Sequence, residues 1–335
     1  MKKKLLFLTA LILSLASFSQ NSNEEFKPNG EPILRIFWNY HVDFTKNATK
    51  TSAFELKRAY LGYKYNISKD VSVNVTFDVG NNTGGSSYTA FAKIAQLDWK
   101  VAPSLILSMG LIGMNQFSEQ EKFWGYRYVF NSFQDANGFG PTADLGINAE
   151  IALSEKLLAN VTVTNGEGFR NLQDNDGNQK FGVNLVYKPV KGLTTSVMFD
   201  SQSSDNSDAI TTIGVFAGYN FENWRIGAEY NKLNNGKTYS TAANDHNLDG
   251  FSIYSTYAFN GKFEIFGRYD QLQSNTLSGD VNAWNYGKDG ERIITGIQYN
   301  ALKGIKFSLN YQGFSFDNST LDNKSLVFLN AEFKL

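Results

Sequence analysis

The chain has 335 residues and no cysteine, and its 31 Lys and Arg nearly balance its 32 Asp and Glu, giving a formal net charge of -1. The missing cysteine excludes a disulfide framework, and the near-zero charge offers no basic field for nucleic acid. Aromatic residues make up 15% of the chain while proline is scarce, a mixture that suits a sheet with one lipid-facing side and one water-facing side.

The start of the chain has the pattern of a secretory signal peptide. Lysines precede a short apolar run, and small serines follow it. The run is too short to cross a bilayer as a helix, so we predict a signal peptide over residues 1–19 that is removed on export. We expect residues 20–31 to form a short periplasmic lead-in and residues 32–335 to form the folded domain.

Beyond residue 32 the chain alternates between apolar and polar residues in segment after segment. Such a period of two predicts strands with one apolar and one polar face. The predicted strands, in chain order, are Leu34–Phe44, Ala53–Tyr65, Val71–Val79, Tyr88–Val101, Leu105–Ile112, Ala143–Ile151, Leu157–Thr164, Lys180–Tyr187, Leu193–Asp200, Ala209–Phe221, Trp224–Lys232, Phe251–Phe259, Lys262–Asp270, Arg292–Tyr299, Lys306–Phe314 and Ser325–Leu335. In the fourth, Lys93 shares the parity of the apolar Ala95 and Leu97, which indicates a position near the rim or a β-bulge.

The connections between these strands alternate between short and long. Short turns such as APS (102–104) and SEK (154–156) separate long polar loops such as NGEGFRNLQDNDGNQ (165–179). Short turns at one end and long loops at the other are the plan of an outer-membrane barrel, whereas a soluble sandwich has no reason to keep this parity. We therefore predict an all-β fold, a transmembrane antiparallel β-barrel of about sixteen strands.

The third long loop, residues 113–141, differs from the other connections. It has no period of two, and it is too long for an ordinary hairpin connection. Its many aromatic residues argue against disorder. Two arrangements are open: the loop folds into the lumen with its own aromatic packing, which we favour, or it lies over the outer mouth.

Three stretches carry a resemblance to a known family: FELKRAYLGYKY (54–65), LSMGLIGMNQFSEQEKFWGYRYVFNSF (107–133) and TADLGINAE (142–150). With them the chain resembles the porin family of the Bacteroidota and is distantly similar to the phosphate-selective porins O and P of other Gram-negative bacteria. The resemblance implies a barrel of about sixteen strands that can form a homotrimer, with a third long loop that folds inward and narrows the pore.

Charged residues on the predicted inner face and in the third loop are the candidates for the pore lining and constriction. They are Arg35, Arg58, Glu121, Lys122, Arg127, Asp144, Glu150, Arg225, Glu264, Arg268 and Arg292. Rings of one charge select ions of the opposite charge, so the strand arginines could form a basic ladder. Acidic residues share that face, however, and we favour cross-strand charge pairs that keep the lumen wet and the sheet in register. The phosphate-selective relatives carry an excess of pore lysine and arginine that this chain lacks.

These patterns predict an outer-membrane porin for passive diffusion of small hydrophilic solutes or ions. The alternative is a plugged or structural barrel that acts in interaction or adhesion, although the small inner side chains favour an open lumen. His41 and His246 lie far apart without a ligand pattern or a nucleophile elbow, and DNDGN (174–178) lacks the distal glutamate of a calcium loop. We therefore expect no enzyme activity, no cofactor, no metal and no nucleic-acid partner, with outer-membrane lipid around the barrel.

Overall fold

The computed structural model describes residues 26–49, 51–81 and 87–335. The predicted signal peptide and residues 20–25 of the predicted lead-in lie outside these residues. The strands are β1 (Asn29–Asp43), β2 (Ser52–Asn66), β3 (Val71–Asn81), β4 (Tyr88–Ala102), β5 (Leu105–Gly113), β6 (Ala143–Ala152), β7 (Leu157–Thr164), β8 (Lys180–Tyr187), β9 (Leu193–Gln202), β10 (Ile210–Phe221), β11 (Trp224–Asn234), β12 (Gly236–Thr238), β13 (Thr241–Ala242), β14 (Leu248–Ala258), β15 (Phe263–Ser274), β16 (Gly290–Leu302), β17 (Ile305–Phe316) and β18 (Lys324–Lys334).

All of these strands except β12 and β13 form one closed antiparallel barrel, which confirms the predicted fold class. Each strand pairs with its neighbours in chain order, and β11 pairs with β14 across the small β12–β13 hairpin. The last strand closes on the first, with Trp38 opposite Ala331 in the β1–β18 pair. Because the sheet closes on itself, every barrel strand has a hydrogen-bonded neighbour on both sides and no strand forms a free edge.

The two faces of the sheet have opposite chemistry. In β11, the side chain of Tyr230 is 41% exposed on the outside, whereas those of its neighbours Glu229 and Asn231 point inward and are buried. An apolar outside around a polar inside reverses the arrangement of a soluble protein and matches a barrel in lipid. Among the described residues, no helix is long and apolar enough to cross a bilayer.

The structure extends some predicted boundaries. β1 begins at Asn29, so residues 29–31 of the predicted lead-in belong to the barrel. β16 begins at Gly290 and β17 ends at Phe316, both beyond the apolar alternation. Strand pairing continues there because the ladder joins backbone groups and does not require apolar side chains. The β12–β13 hairpin, in a connection predicted to be irregular, was missed.

A β-bulge in β4 turns Lys93 inward. A bulge was one of the two alternatives predicted for this strand. In the β3–β4 pair, Thr76 is opposite Ile94 and Phe77 is opposite Ala92, so Lys93 is the extra residue. A bulge re-aims the side chains on one side of it. The ammonium group of Lys93 consequently lies over the ring of Tyr60 on the inner face, 4.9 Å from its centroid.

Two short helices interrupt the long connection between β5 and β6. They are α1 (Ser118–Trp124) and α2 (Phe133–Asn137). Each ends at a glycine with a positive φ, 74° at Gly125 and 75° at Gly138. This left-handed conformation is the usual helix C-cap and is one that glycine adopts without steric cost.

A charged side chain on the outer face, midway along a strand, should destabilise the barrel. Ile253 lies in the middle of β14 with its side chain 50% exposed on the outside. We expect Ile253→Arg to lower the free energy of unfolding in lipid vesicles by about 2–4 kcal/mol, the cost of a cation near the bilayer midplane. Val281→Arg, in an exposed loop, is the matched control and should change little. Equal effects of both substitutions would argue against lipid contact at Ile253.

Candidate functional site

The third long loop lies against the inner face of the barrel. β5 ends at Gly113 and β6 begins at Ala143, close to the predicted loop bounds. The loop buries a set of large aromatic side chains: Phe123, Trp124, Tyr126, Tyr128, Phe133 and Phe139. Most of them join one cluster with inward-facing residues of the wall, including Phe216, Tyr254, Phe266 and Ile294.

Ring contacts hold α1 and the residues after it to the wall. Tyr126 stacks on Phe266 with ring centroids 4.1 Å apart, and the ring of Trp124 lies 5.9 Å from those of Tyr254 and Phe266. Offset-stacked and edge-to-face pairs such as these each contribute about 0.5–1.5 kcal/mol beyond the burial of their area. The rings therefore attach the loop firmly to β14 and β15.

Hydrogen bonds from buried phenol groups add to this attachment. The hydroxyl of Tyr126 donates to Oε2 of Glu264 at 2.6 Å, and that of Tyr128 donates to Oε1 of Gln298 at 2.8 Å. The side-chain amide of Gln134 in α2 donates to the carboxylate of Glu229. Because a buried polar group without a partner is costly, these bonds also fix which wall residues the loop can face.

Two arginines of the wall bind backbone carbonyl groups of the loop. Nε of Arg225 donates to the carbonyl oxygen of Phe123 at 2.7 Å, and Nη1 of Arg268 donates to that of Asn131 at 2.7 Å. Arg268 also forms a bidentate pair with Asp270 on its own strand. The predicted basic ladder is thus partly engaged in holding the loop.

Arginines also lie over aromatic rings of the loop. The guanidinium carbon of Arg268 is 4.9 Å from the ring centroid of Trp124, and that of Arg292 is 4.4 Å from the ring of Phe130. Arg292 contacts Phe314 of β17 as well, at 4.7 Å. Cation–π contacts of this kind stabilise by about 0.5–2 kcal/mol, more when water is excluded. They tie the loop to β15 and β16.

Arg127 joins the two helical parts of the loop. Its Nη1 atom lies 3.0 Å from Oε2 of Glu121 and 2.7 Å from Oδ2 of Asp135, and its side chain is 5% exposed. Burial alone would lower the pKa of Arg127, but the charges of Glu121, Tyr60 and Asp135 raise it well above the usual value. Arg127 therefore stays charged and bridges α1 and α2.

The β12–β13 hairpin covers α2 from the end of the barrel that carries the long loops. The amide of Tyr239 donates to the carbonyl oxygen of Gly138 at 2.9 Å, and Nζ of Lys180 donates to that of Tyr239 at 2.7 Å. Phe133 and Phe139 of the loop share a buried apolar cluster with wall residues such as Leu248. This half of the barrel interior is therefore packed with side chains.

The larger water-accessible cavities that border the third loop lie on the other side, along β1 to β6. A cavity of about 780 Å³ is lined by Arg35, Tyr60, Lys93, Glu121, Lys122 and Arg127, among others. A second, of about 600 Å³, borders Lys64, Asp98, Lys100 and Glu150. A third, of about 210 Å³, borders Arg58, Arg127 and Tyr128 towards the long-loop end. Arg127 borders both the first and the third cavity, so it marks the junction between them.

Charges of both signs surround this junction. Nε of Arg58 lies 3.1 Å from Oδ1 of the buried Asp78, and Nζ of Lys93 lies 3.5 Å from the hydroxyl oxygen of Tyr60. Towards the short-turn end, Nε of Arg35 forms an ion pair with Oε1 of Glu332 at 2.5 Å. The cross-strand pairs that the sequence favoured are therefore present beside the free space.

The predicted site residues fall into three groups. Those beside the cavities are Arg35, Arg58, Glu121, Lys122, Arg127 and Glu150. Those that contact the third loop from the wall are Arg225, Glu264, Arg268 and Arg292. Asp144 is buried and accepts bonds from backbone amides of the loop after β7. Their part in a pore stays a prediction.

Sequence reasoning missed Lys93 and Tyr60 as neighbours of the junction. Both had a visible signal: Lys93 was out of parity in its strand, and Tyr60 shares the parity of the predicted pore-lining residue Arg58. Within the described residues, no group of three or more His, Cys, Asp and Glu could hold a metal ion.

Comparison with known proteins relates the chain to solved structures only, since no family model and no curated protein matches it. A structure of Salmonella typhi OmpF with daunomycin superposes with a TM-score of 0.70 and 14% identity, covering 91% of this chain and 97% of that one. The channel DcaP of Acinetobacter baumannii gives 0.70 and 11%, covering 95% and 100%. The anion-selective porin from Comamonas acidovorans gives 0.66 and 11%, covering 92% and 100%. The chain therefore has the fold of outer-membrane porins.

Removing the charge of Arg127 should loosen the third loop. Breaking a buried ion pair by deleting one partner costs about 3–5 kcal/mol, and because Glu121 and Asp135 are partly exposed we expect about 2 kcal/mol here. Hydrogen exchange of residues 117–131 in Arg127→Met should therefore rise by about thirtyfold. Lys122→Met removes an exposed cation from the same loop and should leave exchange unchanged. Equal exchange in both variants would show that Arg127 does not hold the loop.

The loop should also loosen in acid, over a range set by Asp135. Burial alone would raise the pKa of Asp135, but the charge and hydrogen bond of Arg127 hold that pKa below the usual 3.8. A depressed pKa gives stability above the unfolded pKa that is lost as pH falls through the folded pKa. Near-UV circular dichroism should thus stay constant from neutral pH to about pH 4 and decline below it. Asp135→Asn should lack this transition, and a decline already complete at about pH 5 would contradict the assignment.

Proposed function

We propose that this protein is an outer-membrane porin through which small hydrophilic solutes or ions diffuse passively, and that the third loop narrows its pore. One observation carries the proposal: the loop is attached to the inner wall mainly along β10 to β16, with further contacts to β17, β18 and β1, while water-accessible cavities lined by charged groups follow β1 to β6. A loop placed in this way reduces the cross-section of the barrel without filling it. The porin fold shared with the solved structures supports the same role.

Passage through such a pore needs neither turnover nor a cofactor. The solute is selected by the width of the narrowest section and by the charges that line it. At the junction of the cavities the charged groups nearly balance: Arg58, Lys93, Arg127 and Arg170 against Asp78, Glu121 and Asp135. We therefore propose weak charge selectivity, and no specificity for phosphate.

The location and assembly belong to the same proposal. The predicted export signal over residues 1–19, together with an apolar outer face and a closed barrel, is what an outer-membrane protein requires. We also propose that the barrel assembles as a homotrimer, as the resemblance of the sequence implies. No part of the proposed function involves an enzyme reaction or a nucleic acid.

A plugged barrel with an interaction role is the second candidate, and one observation favours it. The third loop and the β12–β13 hairpin together bury an apolar cluster inside the barrel, including Phe133, Phe139 and Leu233. If the side chains around Arg127 close the remaining junction, the interior conducts nothing and the long loops become the functional surface.

Conductance of the refolded protein in a planar bilayer under a salt gradient tests the proposal. We expect a steady open conductance with a small reversal potential, because the charges at the junction nearly cancel. Lys93→Glu should shift the reversal potential towards cations, whereas Lys232→Glu, which makes the same charge change on the outer surface, should not. A folded, heat-modifiable barrel that conducts no current would overturn the porin and leave the plugged barrel.

A further inference from the structure

The fourth long loop, residues 165–179, also reaches the inner face of the barrel. Nζ of Lys93 lies 5.1 Å from the ring centroid of Phe169. The guanidinium carbon of Arg170 lies 5.2 Å from the ring of Phe91, and its Nη2 atom is 3.5 Å from Oδ2 of Asp78. Phe169 and Arg170 therefore cover wall residues of β3 and β4 beside the larger cavity.

A built turn holds this part of the loop in place. The buried carboxylate of Asp144 accepts hydrogen bonds from the amides of Gly166 at 2.8 Å and Gly168 at 3.2 Å. The amide of Phe169 donates to the carbonyl oxygen of Ala143 at 3.0 Å. Both glycines have positive φ, 110° and 79°, which favours glycine at these positions. The chain is thereby led from the end of β7 into the lumen.

The packing around Gly168 shows how closely this turn fits. A Cβ atom at Gly168 would lie 2.5 Å from the hydroxyl oxygen of Tyr239, a residue of the connection between β12 and β13. That connection is itself bonded to the third loop through Gly138. The third loop, the β12–β13 hairpin and the fourth loop therefore form one connected layer across the barrel interior.

We propose that Phe169 and Arg170 form a second constriction element of the pore, held in the lumen by Asp144. The inference rests on the proposed function and adds the residues that set the width and charge of the passage on the β3–β4 side. Phe169 covers the ammonium group of Lys93, which otherwise faces Tyr60 and the larger cavity. Arg170 shields the carboxylate of Asp78, whose other ion pair among the described residues is with Arg58.

The two residues should act on charge selectivity with opposite signs. Truncating Phe169 removes no charge but uncovers a cation, so the passage becomes more favourable to anions. Truncating Arg170 removes one cation and uncovers a carboxylate, so the passage becomes more favourable to cations. Both truncations also enlarge the space between the fourth loop and the wall. If the fourth loop only lay over the outer mouth, neither truncation would change the charge selectivity.

Single-channel recording of Phe169→Ala and Arg170→Ala tests the inference. We expect conductance to rise by about 1.5-fold in both variants, and the anion-to-cation permeability ratio to change by about twofold, upward for Phe169→Ala and downward for Arg170→Ala. Leu172→Ala is the matched control, since this residue of the same loop is 95% exposed. It should conduct as the unmodified protein does.

A chemical variant of the experiment is available because the chain contains no cysteine. A charged thiol reagent should reduce the current through Phe169→Cys and leave the current through Leu172→Cys unchanged. Suppose that the unmodified protein conducts normally and that Phe169→Ala and Arg170→Ala conduct as it does. That result would overturn the second constriction but not the proposed porin function. A folded barrel that conducts no current in any form overturns the proposed function and this inference with it.

Discussion

The pairing of β1 with β18 is the interaction on which the rest of the structure depends. In lipid, each backbone N–H or C=O group without a partner costs several kcal/mol, so the sheet has to close on itself. Closure defines an inside, and the strict period of two then sends every second side chain into it. The long loops consequently meet a polar inner wall enclosed by the barrel. Charged side chains can occupy the lumen because closure separates a water-accessible interior from the lipid.

Within that interior, the third loop is held mainly by the strands from β10 to β16, with further contacts from Phe37 of β1, Gln312 of β17 and Asn330 of β18. Aromatic rings and the arginines of β11, β15 and β16 contact the loop from the wall, and the buried phenol groups of the loop donate to acceptors on the wall. The strand alternation assigned these arginines to a pore lining. They are instead bound to aromatic rings and backbone carbonyl groups of the third loop. The charge near the free space comes instead from shorter-range arrangements around Tyr60 and Arg127, where each cation has an acidic or an aromatic neighbour. The contacts that attach the loop therefore also determine which charges remain beside the passage.

The sequence predicted the fold well because the alternation is repeated in nearly every strand, and it predicted which strand arginines face inward for the same reason. It could not predict what those arginines touch. Arg225 meets the carbonyl group of Phe123 and Arg292 meets the ring of Phe130, contacts between segments far apart in the chain that no local pattern encodes. The bulge at Lys93 was visible as a break in parity, whereas the inward turn at Phe169 was hidden in a loop whose composition is that of any polar connection.

The aromatic cluster around the third loop has a consequence for how the chain assembles. It includes Phe37 and Tyr60 from the first two strands together with Phe266 and Ile294 from strands near the end. Its rings can meet only after almost all of the chain has been laid into the sheet, so docking of the loop and joining of the two ends coincide. Contacts between such distant segments slow folding, and a partly assembled sheet exposes both its edges and the aromatic residues meant for its interior. Protection of the unfinished sheet until its last strand arrives is thus a requirement set by the position of these rings.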